Sequence, residues 1–284
     1  MLDSDLDATA HGRVHAEYVS TPERIDLVVA VRVPDTHPAV LDWVAGHVGD
    51  DPVEVQLVTV LEPGADRSAA LETALGALNV AMQALQERRP ALRVHVKVRE
   101  GDVVDSLLGC PGGVLVVGGD RGADGRTDGE SLALRVATRS ERPVVVVPAG
   151  WRPGEDDEIV VAVAPDLATD SAIDFAARAT TRRAIPLRLV HVTPEGEESD
   201  PALLLEQGEI RARQQGAAEV RGERRRGPVD VALAEAAAHA HLLVLGRPRR
   251  SELGRRMLGS VIWRVLGRAT APVAVVPVDE RIGS

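Results

Sequence analysis

Between Leu242 and Val278 the chain reads LLVLGRPRRSELGRRMLGSVIWRVLGRATAPVAVVPV, and its middle holds glycines, a serine and arginines at spacings that suit an anion. Gly246 closes a short apolar run, Gly254 follows, and Gly259 stands directly before Ser260. The first N–H groups of a helix have no partner inside it and sit at the positive end of its dipole. Gly259 and Ser260, ahead of Val261, Ile262, Val265, Leu266 and Ala269 at helical spacing, therefore describe a phosphate seat at a helix start, with Ser260 as N-cap. Arg247, Arg249, Arg250, Arg255 and Arg256 crowd the same loop against one acid, Glu252. The planar guanidinium meets phosphate with paired hydrogen bonds. A run of charges is also what a solvated face looks like, and the sequence leaves both readings open.

Holding that loop requires strands. Leu242 to Leu245, and Val273 to Val276 between Pro272 and Pro277, are short apolar runs of the kind covered on both faces. The chain supplies the same pattern twice. After a tail over 1–22, apolar runs at Leu27–Val31, Val53–Val60, Leu92–Val98, Val114–Val117 and Val144–Val147 alternate with helix-like stretches, among them Leu71, Leu75, Leu78, Met82 and Leu85 on one face. Beyond the linker Ala149 to Asp157 the order returns: Ile159–Val163 matches Leu27–Val31 and Leu189–Val192 matches Leu57–Val60, both displaced by 132 positions. Gly227 answers Gly101, Gly246 answers Gly118 and Pro272 answers Pro143, which marks an internal duplication. The expected domains are 23–149 and 156–279. Strand and helix in alternation predict a mostly parallel sheet with helices on both faces, and a ligand crevice at the carboxyl ends of the strands.

The spacing resembles the G-x2-G-x9-G-[ST] signature of the universal stress protein family, with Gly246 as first glycine, Gly259 as third, Ser260 as the hydroxyl residue and Arg249 in place of the second glycine. That resemblance implies an α/β fold of two tandem Rossmann-like (adenine nucleotide alpha hydrolase-like) domains. Each would be a five-stranded parallel sheet of order 3-2-1-4-5, and the domains would pair about a pseudo-two-fold axis, commonly through their fifth strands. It implies ATP as the ligand. Carried over by position, the acidic residue that serves the nucleotide becomes Ala164, followed by Pro165 and Asp166; Val192 takes the base wall; and Gly246, Arg247, Arg249, Gly259, Ser260 and Val261 take ribose and phosphates. Asp166 either reaches the ligand or caps a helix after Pro165. In the first half Arg32 holds the acidic position and Glu130 that of the third glycine, where a carboxylate repels phosphate, so no nucleotide is expected there. Ser131 reads as a helix cap.

Composition narrows the classes further. A chain of 284 residues buries two cores, and with aromatics at 2 % those cores are Val, Leu and Ala. The scarcity of aromatic platforms and a net charge of −10 argue against a nucleic-acid partner. Cys110 is the single cysteine, which fits a reducing compartment; the first twenty residues have no signal-like apolar core and no run spans a bilayer, so a soluble cytoplasmic protein with no membrane partner is expected. His239 and His241 alternate ahead of a strand without a third metal ligand nearby, and Arg224 to Arg226 reads as a solvated turn before Gly227. No Walker, G-x-S-x-G or H-E-x-x-H motif occurs. The expectation is a non-enzymatic stress-response protein, binding and signalling through at most one nucleotide or phosphate-ligand site, able to form a homodimer. The alternative is a ligand-free interaction scaffold. A weak ATP hydrolase is disfavoured because no general base or metal carboxylate stands at the matched positions.

Overall fold

The computed structural model describes residues 6–7, 25–33, 37–48, 52–64, 66–119, 131–154, 158–197, 200–248 and 258–278. Two compact units divide the chain, Met1–Gly118 and Gly119–Ser284.

In the first unit the order is β1 (Leu6–Asp7), β2 (Leu27–Ala30), α1 (Pro38–His47), β3 (Glu54–Leu61), α2 (Arg67–Arg88), β4 (Arg93–Glu100), α3 (Val103–Leu108) and β5 (Val114–Gly119). The sheet runs β1-β4-β3-β2-β5, parallel except for β1. Val28, Val29, Val55, Leu57, Val58, Leu115 and Val116 are fully buried, which is why these strands are unbroken apolar runs rather than alternating ones. Helix α2 starts where Asp66 accepts the Ser68 N–H at 3.1 Å, and it buries Ala74, Leu78, Ala81, Met82 and Leu85 at spacings of three and four. Asp102 caps α3 in the same way, accepting the Asp105 N–H at 2.9 Å.

The second unit holds α4 (Leu132–Arg139), β6 (Val144–Pro148), β7 (Ile159–Ala162), α5 (Leu167–Arg183), β8 (Leu187–Thr193), α6 (Ala202–Gln214), β9 (Val220–Arg226), α7 (Val229–Ala236), β10 (Leu242–Arg247), α8 (Leu258–Arg268) and β11 (Val273–Pro277). Its sheet order is β6-β11-β10-β7-β8-β9. The five strands of the second repeat are parallel in the order third, second, first, fourth, fifth, and β6, encoded in the first repeat, closes antiparallel on β11 with Val146 opposite Val273 and Val144 opposite Val275.

The duplication extends to backbone detail. Gly101 and Gly227 both adopt φ of +126°, a conformation that an L side chain rarely takes, and each N–H donates to the end of the neighbouring strand, Leu61 O and Thr193 O, both at 3.1 Å.

Two expectations need correction, and one segment left open gains a described strand. Arg224–Arg226 is not a turn but the end of β9, paired residue by residue with His191–Thr193. Its exposed arginines hide the strand because an outer strand needs few apolar residues to hold a full ladder on one side. Leu6–Asp7 of the tail forms β1; the rest of 1–24 lies outside the described residues. Helix α8 begins at Leu258, so Ser260 stands in its first turn rather than ahead of it.

Ion pairs bind the outer strands to their neighbours. Arg188, nearly buried, donates to Glu158 at 2.5 Å, to Glu223 at 2.6 Å and to the Ala236 carbonyl at 2.5 Å. In the first unit Glu54 on β3 takes His95 Nε2 at 2.7 Å and Arg93 at 3.1 Å. Burial works to raise the carboxyls of Glu54 and Glu223, but hydrogen bonds and charge from His95 and Arg93, and from Arg188 and Arg225, outweigh it and hold both below the ordinary value.

Candidate functional site

At the carboxyl ends of β7, β8 and β10 the second unit encloses a cavity of about 490 Å³. This is the edge at which an open parallel sheet presents its loops. Val163, Val190, Val192, Leu204, Leu233, Leu245 and Ile262 give it apolar walls, and the polar groups are Asp166, Thr169, His191, Glu197 and Asp200. Among the described residues, neither Lys nor Arg lines it.

The turn after β7 is fixed by its own side chains. Pro165 offers no N–H, Asp166 caps α5 by accepting the Thr169 N–H at 2.9 Å, and the Thr169 hydroxyl lies 3.2 Å from the same carboxylate. That hydroxyl also accepts from the Ala164 N–H at 3.0 Å and donates to the Ala164 carbonyl at 2.7 Å. Both main-chain groups of Ala164 are thereby engaged, and its methyl brings no polar group to the cavity. Capping is what the Asp166 carboxylate does here, while the residue still lines the cavity.

On β8, Val192 forms part of the cavity wall, and His191 beside it was not anticipated. His191 Nδ1 lies 2.9 Å from the Val163 carbonyl. A carbonyl only accepts, so Nδ1 carries the proton and Nε2 of the neutral ring is an acceptor. Thr169, Glu197 and Asp200 were missed as well. Only Thr169 had a signal, its place three residues after Asp166 in a capping pattern.

Gly246 ends the apolar part of β10 at the cavity, and its role is one of space. A Cβ there would lie 2.4 Å from the Ala168 carbonyl oxygen, so the first turn of α5 approaches β10 only because position 246 has no side chain. The counterpart in the first unit is looser: a Cβ on Gly118 would meet the His37 ring at 2.8 Å, a side chain rather than backbone.

The remaining expected residues divide. Ala164, Pro165, Asp166, Val192, Gly246 and Val261 come together on the cavity. Arg247 is not among its lining residues; its guanidinium donates to the carbonyl of Ser140. Gly259 and Ser260 lie in the first turn of α8, and the Ser260 side chain, Arg249, Arg250, Glu252, Gly254, Arg255 and Arg256 fall outside the described residues, as does Glu130. Arg32 is exposed, Ser131 caps α4 by accepting the Leu134 N–H at 3.1 Å, His239 is exposed and His241 is buried edge-on to Trp151. None of the described helices is long and apolar enough to cross a membrane.

Comparison with known proteins follows the same lines. Residues 157–277 match the model of the universal stress protein family. Over 264 residues the chain is 30% identical to a universal stress protein of Mycolicibacterium smegmatis, covering 84% of each. Among solved structures it resembles a universal stress protein from Archaeoglobus fulgidus, with a TM-score of 0.70 at 17% identity over 91% of this chain and 98% of that one. A functionally unknown protein from Pseudomonas aeruginosa gives a TM-score of 0.57 at 19% identity, over 91% and 94%. These two likenesses concern the fold.

Proposed function

The chain belongs to the universal stress protein family, and on that footing we propose that it is a non-enzymatic binding and signalling module of the cytoplasmic stress response, with one site for an adenine nucleotide such as ATP, or another phosphate-bearing ligand. The observation that carries this reading is the convergence of Ala164, Pro165, Asp166, Val192, Gly246 and Val261 on one cavity of the second unit. Its valine and leucine walls suit a base. The N–H groups at the start of α8 suit a phosphate. Occupancy joins the start of α5, the end of β8 and the start of α8, and so alters the surface offered to a partner.

Calorimetric titration of ATP with magnesium into the purified protein, beside a Gly259→Glu, Ser260→Ala variant, tests the proposal. Saturable binding near one site per chain, lost in the variant, is expected. Absence of heat together with absence of nucleotide retained through purification overturns it and leaves the scaffold. Two observations favour that second reading: Thr169 engages both main-chain groups of Ala164, and Arg247 is turned to Ser140. Phosphate release above the buffer rate would overturn the non-enzymatic part alone.

A further inference from the structure

The outer parallel strand of the first unit does not stand open. β1 lies along β4 antiparallel, with Leu6 opposite Val98 and Asp7 opposite Lys97. The pair joins opposite charges, Asp7 against Lys97: β4 carries Arg93, His95, Lys97 and Arg99 on alternate residues, and in the sequence Asp7 is preceded by Asp3 and Asp5 at the same alternation. In the second unit the corresponding strand, β9, has β8 on one side and no strand among the described residues on the other.

The parallel ladder dictates which backbone groups that edge presents. The Leu187 N–H bonds the Glu219 carbonyl at 2.9 Å and the Gly227 N–H bonds the Thr193 carbonyl at 3.1 Å, so the odd-numbered residues of β9 direct their groups to β8. Gly222, Arg224 and Arg226 direct theirs outward. Arg221, Arg224 and Arg226 are exposed along this strand, and the one acid, Glu223, is held by Arg188 and Arg225. Arg221 and Arg224 pair with Glu158 at 3.0 Å and Asp200 at 3.2 Å, while Arg226 has no ion pair among the described residues.

Two such edges repel each other, which bars pairing between copies of β9 and selects a strand of opposite charge. We propose that the edge of β9 is a docking site for an extended acidic segment of a partner protein, added antiparallel as a further strand, with main-chain bonds to Gly222, Arg224 and Arg226 and carboxylates against the arginines. The complementarity is the one the chain already displays between β1 and β4. Because Leu6–Asp7 is held on β4, the second basic edge is left for a segment from elsewhere. Main-chain bonds supply affinity in strand addition and side chains supply selection.

A fluorescein-labelled peptide MLDSDLDATA, the sequence of residues 1–10, serves as probe on the full-length protein, with anisotropy as the readout. Arg224→Pro removes an outward N–H and leaves the β8 ladder whole, and Arg224→Ala keeps that N–H as its control. The expected result is saturable binding that weakens with salt, falls about tenfold or more in Arg224→Pro and in Arg226→Glu, and is largely kept in Arg224→Ala. The peptide with its three aspartates replaced by asparagine binds at least about tenfold more weakly. Urea midpoints establish that the variants are folded, and Arg226→Glu carries the result if Arg224→Pro is not. No binding, equal binding of the asparagine peptide, or binding unchanged in the folded edge variants, as displacement of β1 from β4 would give, overturns the proposal.

Discussion

The guanidinium of Arg247 donates a hydrogen bond to the carbonyl of Ser140, the residue that ends α4. A cation there meets the negative end of a helix and an unpaired terminal carbonyl together. It fastens the end of β10 to the segment leading into β6. The expected consequence is that Arg247→Ala lowers stability by about 1.5–3 kcal/mol, the usual worth of a charged hydrogen bond, and changes affinity for ATP with magnesium less than about twofold. Urea unfolding and calorimetry on one preparation check this. A tenfold loss of affinity at unchanged stability would return Arg247 to the phosphate site.

Gly246→Ala is a purely steric experiment. The added methyl meets the Ala168 backbone at 2.4 Å, and relief requires the first turn of α5 to move. Overpacking of that kind costs about 1–3 kcal/mol. Thermal unfolding of the variant should show a clear drop, with ligand binding impaired because Asp166 and Thr169 move with the turn. An alanine variant as stable as the parent refutes the close approach.

Acid should unfold the protein partly through Glu54 and Glu223. Both carboxyls lie below the ordinary 4.5, so their pairs contribute fully above the unfolded value and lose that contribution as pH falls through the folded one. In Glu54→Gln and Glu223→Gln, the fall in urea stability below about pH 4.5 should be shallower than in the parent, at the cost of lower stability at pH 7. Identical slopes would show that these pairs are too solvated to matter.

Arg211 grips Asp174 through Nε at 2.7 Å and Nη2 at 2.8 Å, and the Asp174 side chain is 7% exposed. The hydrogen bond to Asp174, aided by the charges of Asp174 and Asp170, holds the guanidinium above its ordinary value although burial works to lower it. Arg211→Met leaves a buried carboxylate unpaired and should cost about 3 kcal/mol, whereas Arg211→Met with Asp174→Leu should recover most of it. Equal losses in the single and double variants would mean that packing, not the charge, is at stake.

The buried strands were legible because each is covered on two faces: Leu27, Val28 and Val29, or Ile159, Val160 and Val161, are apolar with nothing between them. β9 was not, since Arg221, Arg224 and Arg226 face water and only the neighbouring strand makes them extended. At the site, glycine and valine positions could be carried along the chain by spacing. Thr169 left only its place three residues after Asp166, and His191 left nothing, because the end of β8 brings Val190, His191 and Val192 alike to the cavity. Arg247 shows the limit most plainly: its neighbours in sequence suggested a phosphate, and its partner in space stands 107 residues away.

β6 completes the sheet of the second unit, yet it is made long before β11, the strand it pairs with there. On the ribosome Val144–Pro148 emerges some 125 residues ahead of β11 at Val273–Pro277, counting from 148 to 273. At about 5–20 residues per second this is on the order of ten seconds during which four consecutive valines wait for their antiparallel neighbour. The pairing of β6 with β11 thus waits on the synthesis of a whole repeat. The amphipathic α4 just before β6, with Ala133, Leu134, Val136 and Ala137 buried, is its nearest temporary cover, and the two repeats are tied together in birth as well as in structure.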